Sequence, residues 1–402
     1  MLSGSSGAVG LPAPIGGASA QQQNEAPSPD PVLLFAILGL TAVGVAMVYS
    51  ASAVMAARDF GSPWHFLVRQ SVAAGFGLAG MWAAMRYGYK RLEKLAYPIL
   101  ALAAVALLLV LVPGIGTTVN GARRWIRFPG FNFQPAELAK YAMVIYLARS
   151  LARKGEKVRT FSIGFLPHVI VTGLFMLLLL GQPDFGSSMV LLALLWVMLF
   201  CAGVQLRWLV GSVFAAAPLA AVLIMSKSYR MARLTAFMDP WADRLGNGWQ
   251  LANSLLTLGN GGLFGQGIGA GKQKLHYLPE GHTDFIISVI GEEAGLLGIL
   301  VVVGLFSLLV WRGIRAAFNA SDAFGAYLAL GLTALLGIQA VVNMLVAMGV
   351  LPTKGLTLPF VSYGGTSLVL SLTAAGVLLA ISSGGGGFLR QQRGRDSSRP
   401  LG

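Results

Sequence analysis

A lone carboxylate, Asp284, stands where a long polar connection meets an apolar run, in the segment HYLPEGHTDF. An aspartate there can act as a general base, or it can stabilise the first turn of the helix that follows. The connection, residues 227 to 283, carries Lys227, Arg230, Arg233, Arg244, Lys272 and Lys274 against Asp239, Asp243 and Glu280. Arg123, Arg124 and Arg127 lie in an earlier connection expected on the same side. So many cations repel one another unless an anion joins them, and a pyrophosphate-bearing lipid is a ligand type they suit. Any one of these arginines is equally explained as an anchor to lipid headgroups. His276 and His282 are six residues apart and have no accompanying ligand set, so they do not read as a zinc site.

Four further carboxylates and their neighbours fall inside or at the ends of apolar runs. Glu137 and Lys140 are three apart, on one face of a helix that Pro135 would open. They are either a self-neutralising pair or a functional one, because ionisable groups in a spanning segment are costly to keep. Asp184, after Gln182 and Pro183, has the position of a helix cap. Glu292 and Glu293 lie eight and nine residues beyond Asp284 and should both face an interior polar network instead of lipid.

The elements that must hold these residues are set by composition. Of 402 residues, 55% are hydrophobic and 11% charged, and the mean hydropathy is +0.71. Repeated apolar runs of about 20 residues can each cross a hydrocarbon core, which excludes a soluble domain. The expected fold is all-α, a polytopic membrane protein of about ten spans: 32–53, 66–85, 95–113, 135–153, 163–181, the run after Asp184 to 204, 208–226, 284–310, 324–347 and 360–382. Residues 1–31 and 383–402 read as flexible tails, the second basic. An even number of crossings puts both tails on one side. Arg86, Lys90, Arg91 and Lys94, Arg149 to Arg159, Arg312, Arg315 and the tail arginines mark that side as cytoplasmic, with the connection 227–283 outside. The net charge of +14 is spread between apolar runs, which argues against nucleic acid. Cys201, the one cysteine, is expected in packing.

Within the long connection, Asp239 followed by Pro240 predicts a helix start. Trp241, Leu245, Trp249, Ala252 and Leu256 recur at helical spacing behind it. The glycines from 259 to 271 predict turns or close backbone approach. Gln266 and Gln273 stand where a nucleotide-binding loop needs glycine and Ser or Thr, so no nucleotide is expected.

Taken together, NGARRWI (120–126), QPAELAK (134–140), QPDFG (182–186), FMDPWAD (237–243), LPEGHTDFI (278–286), GEEAGLLG (291–298) and LPTKGLTLPFVSYGGTS (351–367) resemble the SEDS family of shape, elongation, division and sporulation proteins. The wording around Lys354 is closest to its cell-division branch. The resemblance spans roughly 32 to 382 and the motifs fall in family order. It implies a ten-span peptidoglycan glycosyltransferase of the bacterial inner membrane, concentrated at the division site. The enzyme would polymerise lipid II by inverting transfer, with undecaprenyl pyrophosphate as leaving group. The implied partners are a class B penicillin-binding protein and other membrane proteins of the division machinery. Asp284 takes the place of the catalytic aspartate, and Glu137 and Lys140 that of the charged pair of the fourth span. Arg123, Arg124, Arg230 and Arg233 are the candidates for the pyrophosphate, supported by Gln182, Asp184, His282, Glu292, Glu293 and Lys354. A divalent cation, Mg2+ or Mn2+, could assist the leaving group, but no residue pattern places it. The alternatives are a lipid II flippase, in which Glu137 and Lys140 line a path, and a noncatalytic scaffold.

Overall fold

Six helices among the described residues are long and apolar enough to cross a membrane, and they set the frame of the molecule. The structure is a computed structural model that describes residues 29–119, 121–128, 130–225, 228–271 and 280–384. In chain order the elements are α1 (Pro31–Phe60), α2 (His65–Tyr87), α3 (Lys90–Leu111), β1 (Gly116–Val119), β2 (Ala122–Phe128), β3 (Phe131–Phe133), α4 (Pro135–Lys154), α5 (Leu166–Gly181) and α6 (Phe185–Cys201). They continue with α7 (Leu206–Met225), α8 (Ser228–Met238), α9 (Trp249–Gly261), α10 (Ile286–Asn319), α11 (Ala323–Ala347) and α12 (Gly365–Ser382). The six are α1, α3, α5 with the helical turn before it, α10, α11 and α12.

α4 is the central column. From Pro135 to Leu151 only Leu138 and Arg149 are not buried, because α3, α6, α11 and α12 pack around it. Pro135 stands at its first turn as expected, with Glu137 in the same turn. α12 packs against α2, and α10 against α1 and α11.

Polar contacts sort the helix ends onto two faces. On one face Asp30 caps α1, pairs with Arg312 near the end of α10, and donates its backbone N–H to Ser382 at the end of α12. Tyr89, between α2 and α3, donates to Asp322 before α11 at 2.6 Å. Arg149 of α4 reaches the Glu93 carbonyl of α3. The opposite face holds the sheet, the α5–α6 turn, the start of α10 and the segment 351–364. Asp30 therefore belongs to the membrane domain and not to a tail; residues 1–28 lie outside the described residues.

The fold is all-α as expected, with one small antiparallel sheet, β1, β2 and β3 in that order, in the connection between α3 and α4. Gly121 and Gly130, at φ +75° and +79°, lie between successive strands. Three expectations are corrected. No helix begins at Pro240: residues 240–248 are turns and α9 starts at Trp249. Asp239 does accept from the N–H groups of Trp241 and Ala242. Asp243 then caps a further turn through Asn247, between Gly246 and Gly248, and a helix would not survive two glycines there. Trp241 and Trp249 thus share no helix face. Cys201 is exposed on the surface of α6 and not packed in the interior. Finally, α12 begins at Gly365, later than the apolar pattern places it.

α10 breaks at Gly295, whose φ is +67°, and the glycine run fills the break. The N–H groups of Gln266 and Gly267 donate to the carbonyls of Glu292 and Glu293. Those of Leu296 and Leu297 donate to the carbonyls of Gly262 and Leu263. A side chain at Gly265, φ +80°, would strike the Glu293 carbonyl. Helix and loop thereby satisfy each other's backbone groups, which a break inside a membrane requires.

Candidate active site

β2 carries two of the predicted cations, and its pleat separates them. Adjacent strand residues point to opposite faces, so Arg123 turns to the Leu111 carbonyl at the end of α3, while Arg124 turns to the Gln182 and Pro183 carbonyls of the α5–α6 turn. Only Arg124 lines the cleft that opens there. Its other walls are Pro183, Asp184, Phe185 and Gly186 at the start of α6, Arg233 and Leu234 of α8, and Pro352 to Gly355. The cleft opens to the surface and has a volume of about 120 Å³. Three cations, Arg124, Arg233 and Lys354, face it against one carboxylate, Asp184.

Each wall has a local cause. Gln182 donates to the Leu107 carbonyl at 2.8 Å and is fully buried, which fixes the turn that Arg124 grips. Asp184 caps α6 through the Ser187 N–H at 3.1 Å and also accepts from the Ser187 hydroxyl, so the predicted cap is present. Arg233 donates to the Thr353 carbonyl at 3.4 Å and ties α8 to the segment 351–364. Lys354 lies 4.9 Å from the centre of the Phe185 ring, and burial lowers its pKa.

Asp284 stands behind Gly355. A Cβ on Gly355 would sit 3.1 Å from the Asp284 carboxylate, so glycine at this point lets the wall of the cleft approach the acid. Asp284 does not cap α10: Phe285 holds the cap position, without a side-chain bond. Burial pushes the Asp284 pKa up to about 7, helped by the neighbouring Glu280 and opposed by Arg233 and Arg124. A carboxyl poised near neutrality beside a cationic cleft has the properties of a general base.

Three successive carbonyls fix the turn that carries Asp284. His282 O accepts from the Tyr363 N–H at 2.9 Å, Thr283 O from the Ser362 hydroxyl, and Asp284 O from the Asn343 side chain at 2.8 Å. The sequence reading named none of these three donors as site residues. Asn343 carried a usable signal, since a polar side chain near the end of the apolar run 324–347 calls for a partner as much as Glu137 does.

The other predicted residues lie elsewhere. Glu137 and Lys140 form a buried pair at 2.7 Å within α4 and do not line the cleft. The His282 ring packs on Phe66, centroids 4.8 Å apart, and near Tyr363. Glu293 accepts from Ser50 of α1 and from the Gly269 N–H, and Glu292 is buried beside Gly271, so both acids serve the polar junction of α10 with the glycine run. α8 includes position 230, but the Arg230 side chain lies outside what the structure describes, as do Lys272, Lys274 and His276. Among the described residues no group of three or more His, Cys, Asp and Glu is placed to hold a metal.

A polytopic helical membrane protein with a polar face, a cationic cleft and a single poised carboxylate is the class that fold and site define. The family model for FtsW, RodA and SpoVE, described as cell cycle proteins, matches residues 31–384, and the chain belongs to that family. It is 51% identical over 352 residues to a probable peptidoglycan glycosyltransferase FtsW of a Geobacter species, covering 88% of this chain and 96% of the relative. It is 44% identical over 355 residues to the protein of the same description from Legionella pneumophila, covering 88% and 90%. Among solved structures, a peptidoglycan synthase complex described as coordinating polymerization and crosslinking aligns with a TM-score of 0.73 at 34% identity, over 88% of this chain and 97% of the other. The rod shape determining protein RodA of Thermus thermophilus aligns at 0.65 and 32% identity, over 88% and 96%.

Proposed function

We infer that the chain is a peptidoglycan glycosyltransferase of the division septum that polymerises lipid II. The observation that carries the assignment of roles is the placement of Asp284 behind Gly355, at the edge of the cleft lined by Arg124, Arg233 and Lys354. In the reaction, the 4-hydroxyl of the acceptor sugar attacks the anomeric carbon of the growing glycan. A carbon–oxygen bond forms, the bond to undecaprenyl pyrophosphate breaks, the hydroxyl proton passes to Asp284, and the negative charge leaves on the pyrophosphate. Arg124, Arg233 and Lys354 suit that developing charge, which fixed cations stabilise most where water is excluded. Arg123 is given no part in this, because its guanidinium faces away.

Asp184 is the one carboxylate among the described residues that line the cleft, and each of its oxygens accepts one bond from Ser187. A divalent cation, if used, would arrive on the phosphate oxygens and share one or two carboxylates. The flippase reading needs intramembrane charge along a path, and Glu137 and Lys140 neutralise each other inside the central helix instead. Ten crossings with the cleft on the outer face, and a transpeptidase of the class B penicillin-binding type as partner, complete the proposal. They are supported by the charge distribution and by the likeness to the synthase complex.

Asp284→Asn tests the assignment. Asparagine keeps the shape but cannot take up the proton, so lipid II polymerisation by the reconstituted complex should fall by about 100-fold or more, with insertion and partner binding retained. Near-wild-type polymerisation, with contaminating polymerases inhibited, would remove Asp284 from the base role.

A further inference from the structure

Resting on the reading of Asp284 as the base, we propose that Asn343 of α11 is a positioning residue that sets the Asp284 turn against the segment bearing Lys354. Its side-chain nitrogen donates to the carbonyl of Asp284 at 2.8 Å and to that of Leu356 at 2.6 Å. Asn343 is 1% exposed, and its amide oxygen has no hydrogen-bond partner, so the donors alone fix its orientation. The two acceptors belong to the two sides of the site. One is the peptide of the base itself. The other lies one residue beyond Gly355, where an added Cβ would sit 3.1 Å from the Asp284 carboxylate, and two beyond Lys354, which lines the cleft.

The choice of side chain follows from the bonds. An uncharged amide nitrogen carries two hydrogens and can bridge two carbonyls. A carboxylate at the same place would turn an acceptor on both of them, and an aliphatic side chain would leave two buried carbonyls short of a donor. Tyr363 and Ser362 hold the preceding carbonyls, of His282 and Thr283, but each of those bonds involves the turn and the segment 351–364 alone. Asn343 is anchored in a membrane-embedded helix and joins both segments to it. Removing it unties both segments from α11 and leaves the base and the cationic wall held to one another only through the Ser362 and Tyr363 bonds, while every group that touches substrate remains.

Steady-state polymerisation of purified lipid II by the full chain with its class B partner, normalised to intact complex and followed across pH, decides the matter. For Asn343→Ala we expect turnover to fall about 10- to 100-fold, the loss typical of an ångström-scale misplacement. The apparent KM for lipid II should change little and the rising limb of the pH–rate profile should move. Turnover per folded complex within about twofold of wild type, with an unmoved profile, would overturn the proposal and leave Asn343 a packing residue. Should the alanine variant fail to accumulate, Asn343→Ser retains one donor and is held to the same two outcomes. Asp284→Asn in the same assay separates the two levels: an inactive Asp284→Asn beside a normal Asn343→Ala refutes positioning alone, whereas an active Asp284→Asn refutes the base.

Discussion

Asp284 gains its basicity from burial and loses part of it to Arg124 and Arg233, and the balance near 7 has two measurable consequences. A base must be ionised to act, so polymerisation should rise with pH through about 7 and level off above it; a rate independent of pH from 5 to 9 would contradict the assignment. The stability consequence has the opposite sense. The folded pKa lies above the ordinary 3.8, so the protonated carboxyl favours the fold; its contribution is full below about 4 and is lost as pH rises through 7. Asp284→Asn keeps a neutral group throughout, and its melting temperature relative to wild type, in one fixed detergent, should climb across that window. Glu137 and Lys140 make a different case, since their bond at 2.7 Å joins two buried charges. Glu137→Gln or Lys140→Met alone should cost about 3 to 5 kcal/mol, and the double variant much less than the sum; additive losses in a double-mutant cycle would mean that the pair is not coupled. The α4 pair was legible in the sequence because a spacing of three on a helix puts both side chains on one face. The roles of Arg123 and Arg124 were not, because opposite directions follow only once the segment is known to be a strand.

At the level of elements, the junction between the glycine run and α10 is the feature most open to test. Gly265→Val must either abandon φ +80° or push the Glu293 carbonyl aside, and it should lower stability by about 2 kcal/mol or more and open residues 262–271 to protease. Leu263→Ser, at a side chain 62% exposed, is the control and should do neither. Equal protease resistance of Gly265→Val and wild type would show that the junction does not depend on that backbone. The apolar runs were readable because hydrocarbon demands about 20 apolar residues in sequence, whatever the tertiary context. The long connection was less so: its nine residues from 240 to 248 have helical periodicity, yet Asp243 and the glycines at 246 and 248 bend them into turns. The break at Gly295 had no local signal, because the loop that satisfies it lies about 30 residues earlier in the chain.

For the molecule as a whole, the sorting of helix ends onto two faces predicts sidedness. In a background lacking Cys201, an impermeant thiol reagent should label Gln266→Cys in intact spheroplasts and label Glu156→Cys only after lysis; the reverse pattern would invert the topology. The charge pattern alone made this division legible, whereas the contacts that close it, such as Asp30 with Arg312, join positions 282 residues apart and are invisible to any local window. That closure bears on how the protein is made. Asp30 waits for Arg312, and for Ser382, 352 residues downstream, which at about 5 to 20 residues per second of synthesis is roughly 20 to 70 s. Until then α1 resides in the bilayer with its capping carboxylate short of Arg312 and the Asp30 backbone N–H short of Ser382, and the acid at 284 precedes the donors at 343, 362 and 363 that hold its turn. A nascent chain released before residue 363 would therefore carry the acid but not all the donors that hold its turn, so the site is finished only once synthesis has passed the segment 351–364.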